Sequence, residues 1–312
     1  MKPRISVTID QIDLSLGAIL EEADIAAKTG VDGLWVSQLP NQRDAAMLLA
    51  GIAARTPEVT IGTGVTPIYQ SPPVVMAQTA MTLDEICGNR FVLGIGRGHR
   101  LVGDWMIGGK YAATSVPMRE YLTILTSLIR EGEVATTGSW FSGRGLYSAP
   151  RRSRLPVYVG AFGPRMLELA GELADGVILW LCSPTYIRDV AMPALRAGWA
   201  RRDGDHTGFE VVAMMPAVAS DRPTVDRECA RDVLNGYLRV ENYQKLLRAT
   251  GFADEVKALR ASDSMIEELC AVGSREVIQE RIAAFCEAGV TEIAVSPSAE
   301  KYFAATLEAA VG

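Results

Sequence analysis

The chain has 312 residues, 48% of them hydrophobic, with a formal net charge of -6, two histidines and five cysteines. Acidic and basic residues are interspersed throughout, so no basic face is available to neutralise a phosphate backbone, and nucleic acid is excluded as a partner. The scattered cysteines (Cys87, Cys182, Cys229, Cys270, Cys286) form no CxxC pair, so reduced thiols and no zinc site are expected. MKPRISVTID at the start lacks the apolar run of a signal peptide, and no stretch approaches the ~18 apolar residues of a membrane span. A cytoplasmic protein with no membrane partner is expected.

Short apolar runs bounded by Gly, Pro or Asp recur along the chain, each followed by a segment of helical period. The predicted strands are Arg4 to Asp10, Gly33 to Leu39, Val59 to Val65, Phe91 to Gly96, Pro156 to Ala161, Gly176 to Leu181, Val211 to Ala219 and Glu292 to Ser296. Between the first two, Ile19, Ala23, Ala26 and Ala27 fit one helical face and Gly30 is placed to end the helix. MLELAGELADG, from Met166, is a compact helix before the sixth strand, and SREVIQERIAAFCEAGV leads into the eighth, stopping at Gly289.

Eight strands alternating with helices fit a doubly wound sheet or a closed (β/α)8 barrel, and the count favours the barrel, as one domain over residues 1–312. Two stretches exceed simple crossovers: Arg97 to Leu155 after the fourth strand, and Ser220 to Val290 between the seventh and eighth. Within them, Trp105, Trp140, Tyr237 and Tyr243 serve either the core or a pocket mouth.

In a barrel the site lies at the C-terminal ends of the strands. That geometry selects Asp10, Gln38, Leu39, Gly64, Val65, Gly96 to His99, Ala161 to Arg165, Leu181 and Ser296. RFVLGIGRGHR alternates glycines at Gly94, Gly96 and Gly98, with the wrong spacing for a dinucleotide fingerprint. Either the glycines relieve crowding inside a barrel strand, or missing side chains let a flat ring lie against backbone. VTIGTGVTP places Gly62, Thr63, Gly64 and Val65 at another strand end.

In PVYVGAFGPRMLELA, Gly160, Ala161, Phe162 and Gly163 precede Pro164, which suits a first helical turn, with Arg165 and Met166 following. Free N–H groups and the helix dipole there favour a phosphate. An ordinary strand–helix junction is the other reading. His99, just past the fourth strand, can exchange the proton that accompanies hydride transfer, or be a hydrogen-bonded structural histidine. His206, in RRDGDHTG, is given no role.

GLWVSQL, IGTGVTPIYQSPPVVMAQTAMTLDEICGNRFVLGIGRGHR, MREYLTILTSLIREG and PVYVGAFGPRMLELAGELADGVILW together resemble the luciferase-like oxidoreductases, specifically members using the deazaflavin coenzyme F420. The resemblance implies a homodimer that exchanges hydride between the cofactor and a small-molecule substrate. It implies a non-prolyl cis peptide from Gly64 to Val65 beneath the ring, and a cofactor-phosphate site at Gly160 to Met166. His99 stands where the family's sugar-phosphate dehydrogenases carry a catalytic glutamate. Gln38 and Leu39 replace their Asp-His pair, which points away from sugar-phosphate oxidation and leaves Gln38 to hydrogen-bond ring or substrate. Asp10, Gly96 and Gly98 complete the expected cofactor site. An FMN-dependent monooxygenase and a non-catalytic flavin-binding barrel are the alternatives.

Overall fold

A computed structural model describes residues 3–100, 114–202 and 205–312. The strands are β1 (Arg4–Ile9), β2 (Gly33–Val36), β3 (Thr60–Thr63), β4 (Thr66–Pro67), β5 (Phe91–Gly96), β6 (Glu133–Thr136), β7 (Gly143–Leu146), β8 (Val157–Gly160), β9 (Gly176–Trp180), β10 (Glu210–Ala219), β11 (Ala271–Gly273) and β12 (Glu292–Pro297). The principal helices are α1 (Leu16–Thr29), α2 (Ala45–Ala53), α3 (Pro73–Ile86), α4 (Val116–Glu131), α5 (Pro164–Leu173), α6 (Met192–Trp199), α7 (Pro223–Tyr237), α8 (Glu241–Ala249), α9 (Ala253–Ala258), α10 (Asp263–Leu269), α11 (Arg275–Glu287) and α12 (Phe303–Val311).

Parallel pairing runs β1-β2-β3-β5-β8-β9-β10-β12 and returns to β1, closing an eight-stranded barrel. These eight are the predicted strands. The expected ends at Leu39 and Val65 overshoot, because β2 stops at Val36 and β3 at Thr63 before the chain turns outward over the barrel mouth.

Local chemistry sets the crossovers. Ser15 accepts from the Ala18 N–H to start α1, and Gly30 ends it at φ 87°, a left-handed cap that glycine adopts without strain. Asp44 caps α2 by accepting from Met47 N at 3.0 Å.

Two insertions interrupt the repeat. After β5 come α4 and the antiparallel hairpin β6–β7, whose tip is held by the Glu120 carboxylate accepting from the N–H groups of Ser139, Trp140 and Phe141. Between β10 and β12 lie α7 to α10, β11 and α11.

Apolar side chains on the outer face of the strands pack against the helices, while a smaller cluster fills the barrel: Trp35, Val92, Tyr158, Ile178, Val212, Met214 and Ala294. At its N-terminal end this interior turns polar. Glu292, 5% exposed, accepts from Ser6 Oγ at 2.6 Å, Trp35 Nε1 at 2.8 Å and the Arg4 guanidinium at 2.7 Å. A buried carboxylate needs such a set of partners. The network plugs the lower end and leaves the upper end open.

Candidate active site

A cavity of about 1010 Å³ occupies the C-terminal mouth of the barrel. Every barrel strand or the loop after it contributes lining, as the strand-end rule requires.

At β3 the peptide bond from Gly64 to Val65 is cis, where the family resemblance implies it. Ser37 Oγ donates to the Gly64 carbonyl at 2.6 Å, and the Val65 carbonyl accepts from Gln38 N at 3.2 Å. Val65 faces the cavity. A Cβ on Gly96 would lie 2.6 Å from Val65 Cγ2, and one on Gly160 would lie 3.0 Å from Val65 Cγ1. Gly96 and Gly160 are register partners on β5 and β8, so the two glycines form the bed on which the Val65 side chain rests.

Two expected members stand below the lining. Gly62 packs under the Trp35 ring, which a Cβ there would meet at 2.5 Å. Thr63 Oγ1 donates to the Gly94 carbonyl at 2.7 Å and accepts from Gly94 N at 2.9 Å, stapling β3 to β5. Leu181 likewise lies outside the lining, whereas Asp10, Leu39, Gly98 and Ser296 belong to it. Trp105 lies outside the described residues. Trp140 is exposed on the hairpin, whereas Tyr237 and Tyr243 reach the cavity.

The segment Gly160 to Met166 lines one side. Gly163 is the N-cap of α5, no side chain caps the first turn, and space is open where its Cβ would project. Among the described residues the exposed Arg165 forms no ion pair. Uncapped N–H groups, the helix dipole and a guanidinium make this an anion cradle.

Gln38 is buried, and both ends of its amide are engaged: Oε1 accepts from Ala45 N at 2.8 Å, and Nε2 donates to the Leu39 carbonyl at 3.2 Å. It shapes the β2–α2 loop. Asp10 Oδ1 accepts from Gln11 N at 2.6 Å and Ile12 N at 3.1 Å, folding the loop after β1.

His99 packs against Tyr243, their ring centroids 5.5 Å apart. Its Nδ1 is buried without a hydrogen-bond partner, and burial holds the imidazole below the usual histidine range. Sequence reasoning misses Gln11: its Nε2 donates to the Ser37 carbonyl at 2.8 Å, while Oε1 is buried and unpartnered. The one sequence signal for it is its place beside Asp10 at a strand end. Trp180 Nε1 and Ser298 Oγ are further unpartnered buried atoms among the described lining residues.

The barrel mouth thus carries a helix N-terminus suited to an anion on one side and a glycine-backed shelf beside it. The profile of the luciferase-like monooxygenase family matches residues 2–292. The chain belongs to that family.

Among curated relatives, the 5,10-methylenetetrahydromethanopterin reductase of Archaeoglobus fulgidus is 29% identical over 291 residues, covering 86% of each chain. That of Methanolobus tindarius is 26% identical over 303 residues, covering 91% of this chain and 92% of its own. Among solved structures, the coenzyme F420-dependent tetrahydromethanopterin reductase of Methanopyrus kandleri superposes with a TM-score of 0.81 at 20% identity, covering 99% of this chain and 97% of its own. An F420-dependent secondary alcohol dehydrogenase with an F420–acetone adduct gives 0.79 at 22% identity, covering 99% of both chains. A type II Baeyer–Villiger monooxygenase of Pseudomonas putida holding FMN gives 0.72 at 17% identity, covering 99% of this chain and 97% of its own.

Proposed function

We propose that this chain is a coenzyme F420-dependent oxidoreductase acting on a small organic substrate. The observation that carries the reading is the pairing, in one cavity, of the anion cradle at Gly163 and Arg165 with the shelf that Val65 forms over Gly96 and Gly160. Support for the deazaflavin over FMN comes from the reductase and dehydrogenase relatives. A volume of about 1010 Å³ sits at the top of the ~300–1,000 Å³ range of single-ligand pockets, leaving room for a second molecule beside the cofactor.

The residues divide the work. Gly160 to Met166 would hold the tail phosphate, Gly64 and Val65 would support the ring, and Gly96 would keep Val65 in place beneath it. Asp10, Gln38 and Gly98 shape the surrounding wall. When bound, the deazaflavin supplies the ring carbon that accepts or gives hydride. His99 would take the O–H proton of a carbinol substrate as it becomes a carbonyl, and would return it in the reduction direction.

Titration of the protein with coenzyme F420 and, in parallel, FMN tests the reading through quenching of tryptophan fluorescence. Micromolar or tighter binding of the deazaflavin alone is expected. Preference for FMN would replace the reading with a flavin monooxygenase, and binding of neither would sink it.

The enzyme works as a homodimer in this reading. The outward positions of α2 and α3 include Met47 (76% exposed), Val75 (46%), Gln78, Thr79, Thr82 and the single charge Glu85, a mostly uncharged surface suited to a second copy. Sedimentation equilibrium giving a monomer at micromolar concentration would remove that element.

A further inference from the structure

We propose that the substrate is a flat, uncharged and largely apolar molecule, held in an aromatic slot supplied by the insertion between the seventh and eighth barrel strands. The proposal rests on the cofactor-dependent reading and names the substrate class of the same site.

The slot is built from elements far apart in sequence. Trp180 ends β9, Tyr237 is the last residue of α7, and Tyr243 lies on α8. Trp180 and Tyr237 have ring centroids 5.5 Å apart, and Tyr237 meets Tyr243 edge-on at 4.8 Å and 77°. Tyr243 then reaches Phe162 of the cradle loop at 5.1 Å and His99 at 5.5 Å. All five rings line the cavity. A continuous aromatic wall thus runs from the proton partner to the far rim. Edge and face contacts of this kind favour planar guests and reward apolar area taken out of water.

Charge and hydrogen-bonding capacity argue the same way. Among described lining residues the permanent cations are Arg97 and Arg165. Arg97 already has an interaction partner, and Arg165 belongs to the cradle. Burial keeps both phenols neutral, pushing the Tyr237 hydroxyl up to about 12 and the Tyr243 hydroxyl well above its ordinary value. The carboxylates in the lining, Asp10 and Asp232, are exposed and would repel an anion. Gln38 is committed at both ends of its amide, and the unpartnered buried polar atoms of the described lining are the single atoms Gln11 Oε1, His99 Nδ1, Trp180 Nε1 and Ser298 Oγ, fewer than the hydroxyl and phosphate oxygens of a sugar phosphate. Hydroxyls left without partners in such a site are costly, so a sugar or phosphate ester is rejected while a ring bearing one carbonyl or carbinol near His99 is accepted.

The test uses the full chain with coenzyme F420 and a matched panel: aryl ketones with their benzylic secondary alcohols, against sugar phosphates. Turnover confined to the aryl compounds is expected. Tyr237→Ala should raise KM for them tenfold or more while the deazaflavin Kd stays within twofold. Sugar phosphates turned over at lower KM than every aryl compound, or an unmoved KM in Tyr237→Ala, would overturn the proposal.

Binding of Nile red, a neutral planar dye, to the chain without cofactor separates the slot from the cofactor reading. Dye affinity that falls tenfold in Tyr237→Ala at unchanged melting temperature supports the slot, even if coenzyme F420 fails to bind and the cofactor reading falls. Equal dye affinity in parent and variant overturns the slot, even if the deazaflavin binds.

Discussion

Val65 Cγ2 lies 2.6 Å from the point where a Cβ on Gly96 would stand, so the side chain that follows the cis peptide occupies space that only a glycine on β5 can leave. In the proposed cofactor-binding reading the glycine alternation acts at one remove: Gly96 and Gly160 admit Val65, and Val65 shapes the shelf. Gly94 has a different cause, since its Cβ would collide with the Thr63 carbonyl.

Gly96→Ala should accordingly weaken coenzyme F420 binding tenfold or more and cost about 1–3 kcal/mol of stability by overpacking. Val65→Ala in the same chain should restore the stability without fully restoring affinity. A double-mutant cycle by chemical denaturation and fluorescence titration measures the coupling. Additive effects would mean that the two residues do not share this space.

Arg165→Gln should lower cofactor affinity roughly tenfold, about 1.4 kcal/mol, and flatten its salt dependence. Its exposed position leaves the melting temperature unchanged. An affinity equal to the parent at low ionic strength would remove Arg165 from the cradle.

His99 gives a signed pH dependence. Burial lowers its pKa, so the imidazole is neutral through the neutral range and is protonated only below the ordinary value of ~6.5. In the oxidation direction kcat/KM should be flat near pH 7 and fall as pH drops through that lowered pKa. His99→Asn should lose the acidic limb along with most of the rate, whereas a retained limb would move the proton role to another group.

Glu22 should set a stability trend of its own. Burial first, then the charges of Asp10 and Glu300, push its carboxyl up to about 7, and its Oε2 has no hydrogen-bond partner. A folded pKa above the unfolded value of ~4.3 makes the native state bind the extra proton, so stability declines as pH rises through 7. Glu22→Gln should gain on the order of 2 kcal/mol above pH 7 and remove this decline, read as melting temperature against pH.

Trp35→Phe deletes the indole donor to Glu292, 2.8 Å away. Leaving that buried acceptor short of a partner should cost about 1–3 kcal/mol. The change lies in the barrel interior and outside the cavity lining, so coenzyme F420 affinity should be unaffected.

The eight barrel strands are legible in the sequence because each is a short apolar run with punctuation at its ends; Phe91–Gly96 is buried at every position. The hairpin is not. GRGL in β7 carries no alternation, and Val134 is the one buried apolar residue of β6, so their pairing follows from Glu120 gripping the tip. β4 and β11, of two and three residues, are strands only by virtue of a neighbour. The cradle can be read because Gly-Pro at a helix start has a local cause. The role of Gln38 cannot, since its amide is spent on Ala45 and on the Leu39 carbonyl, contacts no spacing announces.

The lower plug joins residues at opposite ends of the chain: Trp35 and Glu292 are 257 positions apart. A nascent or refolding chain cannot seat the Trp35 indole until the last barrel strand has arrived, because the carboxylate it requires stands on that strand. Trp35 therefore serves as a clock of ring closure. A chain in which it is the sole tryptophan would keep its emission red-shifted while helices form, and shift to the blue at the moment the first and final strands meet.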